Sequence, residues 1–372
     1  MKNIKVAMAG IGAIGKVHCT ATLSIPMLYP KNDYAISFGK LLRNNTSGNC
    51  PFYFEGYAKD LDEILADDSV TCVDICSPNY LHFEQGMKVL EAGKSLYLEK
   101  PIGLNSDEAH ILAKEAADRS IITQTALMYR MMPGVIAIRD MVESGELGDI
   151  IDFKLVTLHS GYLNPNRKRN WKLSKEKSGG GPLLDIGVHM ADTVRFMLGD
   201  VDRVSCVCKT IIEERPDAET NEMVKVDIED WANARLILRN GITGSIEVSR
   251  VASVLDQSST IDVYGTKGSV HFSSSTPNSL LFHEQSSGKD IRGKAPAISD
   301  YAKYVASIYP SLNRGWLIDS HTVLLVNFYN NVNEGKIIWK ESPSFEDDEM
   351  AQKIIEACYR SAEKDSNYEK VQ

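Results

Sequence analysis

Two side chains capable of acid–base chemistry lie four residues apart near the middle of this 372-residue chain. Asp185 and His189 would be neighbours on one face of a helix, because residues four apart lie about one turn from each other. A carboxylate beside an imidazole sets the tautomer of the ring and raises its basicity, which suits a general base. The same spacing also describes a solvated helix pair without a function, so the surrounding elements must distinguish the two interpretations.

The residues just before this pair indicate how it would be positioned. Three glycines at 179–181 let the backbone approach another group closely, because no Cβ is in the way. Gly181 and Pro182 suit the cap and the first turn of a helix. Apolar residues then recur at helical spacing and predict a stripe roughly opposite Asp185 and His189: Leu183, Ile186, Met190, Val194 and Met197.

A glycine motif near the start of the chain predicts a dinucleotide site. The apolar run at 4–9 reads as a buried strand, and Gly-x-Gly-x-x-Gly at 10–15 follows it and opens a helix that ends near Pro26. The first glycine allows a tight turn, the second lets the backbone approach a pyrophosphate, and the third lets the helix pack on the strand. The helix N-terminus favours the anion. We therefore expect cofactor contacts at Gly10, Gly12, Ala13 and Ile14.

The residues after the second strand bear on the choice of cofactor. We place that strand at 34–38, and no carboxylate occurs between Asp33 and Glu55, although an NAD-binding unit usually has one here. Lys40 and Arg43 would suit the 2′-phosphate of NADP. The alternative is the solvated start of a short helix. We expect NAD or NADP and slightly favour NADP.

Strands and helices alternate as far as about residue 127, and one strand end carries a lysine. The strand at 95–98 leads into Glu99, Lys100 and Pro101, and Pro101 is compatible with a cis bond. The carboxyl end of a central strand is where doubly wound sheets bind ligands, although an exposed loop cation is the alternative for Lys100. Asn79 is expected to cap the helix at 80–92.

The pattern changes after residue 127. A helix at 133–144 precedes six strands, several in hairpins, and two long helices follow at 314–334 and 346–364. The segment 273–300 looks least structured. We predict an α/β protein: a Rossmann doubly wound parallel sheet at 1–127, and an α+β substrate-binding and oligomerisation domain with a large, mostly antiparallel open sheet at 128–372. The six strands are expected at 150–158, 203–212, 232–239, 242–250, 260–265 and 269–273.

Composition excludes several classes of function. A net charge of −9 and a pI near 5.5 argue against nucleic-acid or anionic-membrane surfaces. No apolar run approaches the ~20 residues of a membrane span, and the first residues lack the pattern of a signal peptide. The seven cysteines are scattered, and C-x-x-C pairs and histidine clusters are absent from the sequence. We expect reduced cysteines, no metal, and a cytoplasmic protein.

Taken together, the motifs resemble those of the Gfo/Idh/MocA family of oxidoreductases, the relatives of glucose–fructose oxidoreductase and inositol dehydrogenase. The resemblance rests on the glycine motif, on Glu99-Lys100-Pro101, and on Asp185-x-Gly-x-His189, and it extends over nearly the whole length. It implies a homodimer or homotetramer paired through the open sheet, and catalysis by Lys100, Asp185 and His189. It also implies cofactor contacts by Ser77, Pro78, Asn79, His82, Glu99, Lys100, Trp171 and Lys172. Lys40 departs from the family, in which many members place an acid.

The expected reaction is hydride transfer between a nicotinamide and a secondary hydroxyl or ketone of a sugar, cyclitol or related polyol. His189 would act as the base, Asp185 would orient it, and Lys100 would donate to the reacting oxygen. We expect the glycines at 179–181 to approach the nicotinamide or the substrate. Two alternatives remain: an enzyme that cleaves or eliminates through a transient oxidation, and a cofactor-sensing regulator without catalysis. The presence of all three catalytic residues argues against the regulator.

Overall fold

The structure, a computed structural model, describes residues 2–44, 46, 48–311 and 314–372. The chain forms two compact units, and each contains two stretches of sequence. The first unit comprises Met1–Met128 and Ile308–Glu349, and the second comprises Tyr129–Ser307 and Met350–Gln372. The first break lies next to the expected boundary at 127, while the segment 308–349 joins the first unit.

The N-terminal stretch alternates strands and helices. Its strands are Lys2–Ala9 (β1), Tyr34–Leu42 (β2), Gly56–Ala58 (β3), Cys72–Ile75 (β4), Ser95–Leu98 (β5) and Thr123–Thr125 (β6). Its helices are Ala13–Leu28 (α1), Leu61–Leu65 (α2), His82–Glu91 (α3) and Ser106–Asp118 (α4).

The middle stretch is richer in strands. Its helices are Pro133–Glu143 (α5), Lys175–Ser178 (α6), Pro182–Asp185 (α7) and Gly187–Leu198 (α8). Its strands are Ile150–Leu158 (β7), Val201–Lys209 (β8), Glu214–Pro216 (β9), Met223–Lys225 (β10), Trp231–Leu238 (β11), Thr243–Ser249 (β12), Thr260–Gly265 (β13), Gly268–Ser273 (β14), Ser279–Glu284 (β15) and Lys289–Lys294 (β16). The C-terminal elements are Asp300–Ile308 (α9), Trp316–Glu334 (α10), Phe345–Glu363 (α11) and Glu369–Lys370 (β17).

The first unit contains a parallel sheet of six strands in the order β3-β2-β1-β4-β5-β6. Its central strands are buried on both faces: Ala7, Val73 and Leu96 are fully buried. Such a strand reads as a continuous apolar run rather than an alternating one, as residues 6–9 do. The predicted Rossmann sheet is confirmed. Because β1, β4 and β5 are neighbours, the residues that follow them lie along one edge of the sheet.

Two local predictions in this unit were wrong. The strand predicted at 34–38 is too short: β2 continues to Leu42, which pairs with Ala9 of β1, and this also rejects the alternative of a short helix that starts after residue 38. Register with β1 and burial of Leu41 favour the extended form over local propensity. Asn79 does not cap α3; it lies in a short 3₁₀-helix, Asn79–Leu81, and no side chain caps α3 at Leu81.

The second unit is built around a mixed sheet of nine strands in the order β16-β15-β14-β13-β7-β12-β11-β8-β17. Only β7 and β12 pair in parallel among these strands. Phe153 and Leu155 of β7 are buried, whereas Lys154 between them is exposed, as expected for a sheet with one covered face. The expectation of an unstructured segment at 273–300 was wrong, since β15 and β16 form a hairpin there. Within the described ranges, every helix is too short or too polar to cross a membrane.

Candidate active site

The glycine loop after β1 packs tightly against the end of β4. Gly10 has a φ of +94°, and a Cβ added there would lie 2.6 Å from the carbonyl oxygen of Cys76. A Cβ added at Gly15 would lie 2.7 Å from the carbonyl oxygen of Gly10. Both positions therefore require glycine, for the reasons that the motif predicted.

The middle of the same loop is open instead of crowded. No described atom lies within 4 Å of a Cβ added at Gly12. Gly12 is also the N-cap of α1, where no side chain caps the helix and the first turn contains no acid. The first N–H groups of a helix have no intrahelical partner, so those of Ala13 and Ile14 can donate to an anion. This cradle fits the pyrophosphate of a dinucleotide.

His82 joins the ends of β4 and β5. Its Nε2 lies 2.9 Å from the carbonyl oxygen of Ser77, and its Nδ1 lies 2.8 Å from the carbonyl oxygen of Pro101. Burial lowers the pKa of His82, although the two backbone contacts oppose that shift, and a neutral ring donates to one of these oxygens at a time. The Ser77 hydroxyl donates to Gln85 Oε1 at 2.8 Å. These contacts fix the segment 77–79; the cofactor contacts expected there and at His82 stay predictions.

Lys100 follows β5, and its peptide bond to Pro101 is cis. The preceding Glu99 is buried, and Lys100 is among the charges that lower the pKa of its carboxyl group. Burial alone would raise the pKa of Glu99, but the hydrogen bond and charge of His18, together with the charges nearby, outweigh it and the pKa lies at about 2. Glu99 is therefore an ionised side chain turned towards His18 within the first unit.

His18 was not among the residues that the sequence motifs indicated. Its ring lies between Asp74 of β4 and Glu99, at 3.0 Å and 3.1 Å. One signal in the sequence could have indicated it: Asp74 is an acid among the apolar residues of the buried strand β4, and a buried carboxylate needs a partner. The partner comes from α1, three residues beyond Gly15.

The expectation that the protein binds no metal rested on residues that are close together in the sequence. In the fold, two groups of three side chains have potential ligand atoms within 4.8 Å of one another. They share His18: one adds Glu99 and His321, and the other adds Asp74 and Cys76. Both ring nitrogens of His18 face carboxylates at hydrogen-bond distance, which suits a protonated ring rather than a metal ligand.

Lys40 and Arg43 have different surroundings. Lys40 forms an ion pair with Glu63 of α2, which raises the pKa of its ammonium group. The Arg43 guanidinium lies 5.9 Å from the ring centroid of Tyr57 and makes no ion pair with the described residues. The segment after β2 has no carboxylate of its own, but Glu63 of α2 lies beside it and neutralises Lys40.

In the second unit, the helix expected to carry both Asp185 and His189 is divided in two. Gly181 is the N-cap and Pro182 the first residue of α7, as predicted, but α7 ends at Asp185 and α8 begins at Gly187. The expectation of one stripe with a polar opposite face was wrong as well: α8 is buried nearly all round, including His189 and Asp192. A helix buried on all sides carries polar groups only where they have a local purpose.

Arg250 holds the Asp185 carboxylate. Its Nη2 donates to Asp185 Oδ2 at 2.8 Å, and its Nη1 donates to the carbonyl oxygen of Lys172 at 3.3 Å. Burial alone would lower the pKa of Arg250, but the charge and hydrogen bond of Asp185, together with Tyr162 and Glu229, outweigh it and the pKa is raised. Arg250 thereby brings the segment Trp171–Leu173 and Asp185, both named from the sequence, to one place. Nothing in the local sequence around Arg250 indicated this role.

Gly180 and Gly181 pack against neighbours within the second unit. A Cβ added at Gly180 would lie 2.2 Å from Tyr359 Oη, and one at Gly181 would lie 2.2 Å from the carbonyl oxygen of Glu229. Glu229 accepts hydrogen bonds from the backbone of Gly181 and Leu183 and from Tyr359 Oη, at 3.1, 2.8 and 3.1 Å. Close approach at these two glycines is thus required by protein groups, while the expected approach of the nicotinamide or the substrate to the segment 179–181 stays a prediction.

His189 is buried against an aromatic ring. Its ring centroid lies 5.6 Å from that of Tyr129, edge to face. Tyr129 Oη hydrogen-bonds to Ser259, and burial raises the pKa of Tyr129 to about 12. Because Lys100 belongs to the first unit and Asp185 and His189 to the second, their convergence in one site stays a prediction.

Two family models match the chain. Residues 4–126 match the model described as an oxidoreductase family with an NAD-binding Rossmann fold. Residues 135–271 match the model of the GFO/IDH/MocA C-terminal domain. Together the two matches cover most of the chain, in the order that the sequence motifs predicted.

Curated relatives and solved structures agree with these matches. The chain is 29% identical to levoglucosan dehydrogenase of Pseudarthrobacter phenanthrenivorans, over 98% of each chain. It is 24% identical to glucose-6-phosphate 3-dehydrogenase of Bacillus subtilis, over 98% of this chain and 97% of that one. A solved structure of levoglucosan dehydrogenase in complex with NADH and levoglucosan superposes over 100% of both chains, with a TM-score of 0.89 and 27% identity. The chain therefore belongs to the Gfo/Idh/MocA family of oxidoreductases, with an NAD-binding Rossmann domain followed by the C-terminal domain of that family.

Proposed function

We propose that this protein is an NAD(H)-dependent dehydrogenase that acts on a secondary hydroxyl of a sugar, cyclitol or related polyol. The observation that carries the proposal is the order of three strands in the first sheet. β1, β4 and β5 are parallel neighbours, so the glycine loop, Ser77 and Lys100 follow one edge. A lysine on the same edge as a dinucleotide cradle suits chemistry at an oxygen close to the cofactor.

The reaction removes a hydride from the carbinol carbon and a proton from its hydroxyl. When bound, the nicotinamide accepts the hydride. We assign His189 as the base that takes the hydroxyl proton and passes it to solvent, a role worth about 10²–10⁴-fold in rate. Lys100 donates a hydrogen bond to the same oxygen and stabilises the negative charge that develops on it, which is worth about 3 kcal/mol.

Asp185 supports the base in this proposal. The Arg250 guanidinium, 2.8 Å away, favours the ionised carboxylate. An ionised Asp185 near the ring would stabilise the imidazolium that forms when His189 takes the proton. Asp185 and His189 lie on different helices on either side of the break at Ile186, so their relative orientation depends on that break.

The substrate class is supported by the relatives, whose names specify levoglucosan and glucose 6-phosphate. The similar structure contains NADH and levoglucosan, which supports NAD(H) as the cofactor. The expectation of NADP now rests on Arg43, because Glu63 neutralises Lys40. We also propose, from the family resemblance, that the protein is a cytoplasmic homodimer or homotetramer. Light scattering of the purified protein would measure its oligomeric state.

Absorbance in the reduced-nicotinamide band tests the function. Purified protein with NAD⁺ is offered a panel of levoglucosan, glucose, glucose 6-phosphate and inositols. We expect NADH to form with at least one of them. His189→Ala should lower kcat by about 10²–10⁴-fold while leaving the Kd for NADH within about twofold.

Each alternative predicts a different result in the same assay. An enzyme that cleaves through transient oxidation would consume a glycoside without net NADH. A regulator would bind NADH and turn over none of the panel. Turnover by His189→Ala within a few-fold of wild type would reject the assignment of the base.

A further inference from the structure

A buried histidine in the first unit lies between two carboxylates, and the proposed reaction makes no direct use of it. His18 on α1 is fully buried, and Asp74 and Glu99 are 3% and 6% exposed. Nδ1 of His18 lies 3.0 Å from Asp74 Oδ2, and Nε2 lies 3.1 Å from Glu99 Oε1. Each ring nitrogen thus has its own carboxylate.

This arrangement determines where the protons lie. An ionised carboxylate only accepts hydrogen bonds, and a neutral imidazole has a single N–H to donate. Two ionised carboxylates therefore require the imidazolium, and the alternative with the same distances places the proton on Asp74. Burial alone would lower the pKa of His18, but the charge and hydrogen bond of Asp74, together with the contact with Cys76, outweigh it and hold the pKa well above its usual value. The pKa of about 2 at Glu99 agrees with a charged His18.

The other groups around the ring leave His18 as the buried cation. Burial, followed by the charge of His18, lowers the pKa of His321 to about 3, so this neighbouring ring is neutral. Among the described residues, the titratable groups that face His18 come from four elements and the residues next to them. They are Asp74 on β4, Cys76 directly after β4, Tyr97 on β5, Glu99 directly after β5, His321 and Tyr329 on α10, and Cys19 on its own helix.

The cluster also lies beneath two parts of the proposed site. Cys76 Sγ lies 3.0 Å from His18 Nδ1, and the carbonyl oxygen of Cys76 is the group against which Gly10 packs. Glu99 directly precedes Lys100 in the chain. A shift of either carboxylate would therefore move the backbone of the glycine loop or of Lys100, since a close-packed interior transmits such shifts.

We propose that His18 is a permanent imidazolium that bridges Asp74 and Glu99 and thereby acts as a positioning residue for Lys100. The charge state is independent of the proposed function, and the positioning of Lys100 rests on it. A buried cation with a carboxylate on each side is stable only while both partners stay in place, which makes the bridge a rigid support for the end of β5.

Nitrogen NMR of the full-length protein, labelled with ¹⁵N-histidine, tests the charge state. We expect both ring nitrogens of His18 to remain protonated from about pH 5 to about pH 9, whereas a free histidine loses its proton near pH 6.5. His18→Gln assigns the signals. Asp74→Asn, which keeps the ring, should make His18 titrate within this range. A neutral His18 tautomer at pH 8 in the wild type, or stoichiometric metal on the ring in the purified protein, would overturn the proposal.

Kinetics test the positioning of Lys100. Without the bridge the end of β5 loses its support, so the Lys100 ammonium should no longer be held where negative charge develops on the reacting oxygen. We therefore expect His18→Gln to lower kcat at least tenfold while leaving the KM for the sugar and the Kd for NADH within about threefold. If His18 acts through Lys100, the same substitution should cost less than about threefold in kcat when Lys100→Ala is already present. The matched control is His110→Gln, which removes a half-exposed histidine 3.1 Å from Glu349 and should leave kcat within about twofold of wild type.

The two halves of the proposal fail in distinguishable ways. An unchanged kcat in a folded His18→Gln enzyme, or a loss of kcat that is equally large with and without Lys100→Ala, would reject the positioning role, whatever the loss of stability. If the variant does not fold, Asp74→Asn gives the same comparison with the ring in place. If the wild type oxidises none of the panel, the proposed function fails, while the NMR measurement still decides the charge of His18.

Discussion

The steric reason for Gly180 gives a quantitative prediction about stability. A Cβ added there would lie 2.2 Å from Tyr359 Oη and 3.0 Å from Tyr359 Cζ. The backbone of Gly180 is not in the left-handed region, so strain in φ does not contribute. In Gly180→Ala the tyrosine must move, and its hydrogen bond to Glu229, 3.1 Å long, is lost.

The cost follows from two contributions. Overpacking a well-packed site costs about 1–3 kcal/mol, and a lost buried hydrogen bond adds about 1 kcal/mol. We therefore expect the free energy of unfolding to fall by about 2–4 kcal/mol. For a unit of roughly 200 residues, this lowers the unfolding midpoint by about 5–15 °C.

Differential scanning calorimetry of the variants measures this effect. The matched control is Gly293→Ala, since no described atom lies within 4 Å of a Cβ added at Gly293, and its midpoint should change by less than about 2 °C. Tyr359→Phe removes the closest atom, so the double variant with Gly180→Ala should lose less than the sum of the single variants. Strict additivity, or a Gly180→Ala midpoint equal to that of the control, would refute the steric explanation and return these glycines to a ligand role.

Three further predictions concern the first unit. Lys100→Arg should lower kcat at least tenfold, because a planar guanidinium does not reproduce a compact ammonium donor; activity within threefold of wild type would contradict a direct role. Lys40→Ala should leave the ratio of NADPH to NADH affinity within about twofold, since Glu63 already neutralises Lys40. Arg43→Ala should weaken NADPH binding about tenfold and leave NADH binding unchanged if that cation binds a 2′-phosphate. Isothermal titration calorimetry with both cofactors measures this, and equal losses of affinity would assign Arg43 to the solvated surface. Burial lowers the pKa of His321 from 6.5 to about 3, so between these values the unfolded chain binds a proton that the folded chain does not, and stability should fall as the pH drops from about 6.5 towards 3. In scanning calorimetry, His321→Gln should reduce the dependence of stability on pH above pH 4.5. An unchanged dependence would show that His321 is protonated in the folded protein.

The sequence allowed a close account of elements whose pattern is local. The strand at 150–158, the strand at 260–265 and the long helices near 316–334 and 345–363 were expected within about two residues of their observed bounds. Their apolar periodicity directly reports the face that is buried. The hairpin of β15 and β16 escaped notice because β16 is exposed along its whole length, so it has no alternation to detect.

The errors share a physical cause, which is contact with residues distant in the sequence. The length of β2 depends on its pairing with β1, and the charge of Lys40 depends on α2. The apolar spacing predicted one continuous helix, but a break at Ile186 divides it into α7 and α8. Distant contacts also give Gly180 and Gly181 a packing requirement against Tyr359 and Glu229, which the local sequence did not indicate.

The sequence by itself determined the family, the dinucleotide loop and the identity of the candidate catalytic residues, because these depend on residue types at short, fixed spacings. Only the tertiary structure decided which charges are paired. Arg250 lies 65 positions from Asp185, Glu99 lies 81 from His18, and Glu63 lies 23 from Lys40. Burial makes an unpaired charge costly, so each buried carboxylate or guanidinium must find a partner, but that requirement specifies only the chemistry of the partner. Which residue supplies it is decided by the folding of separate strands and helices against one another.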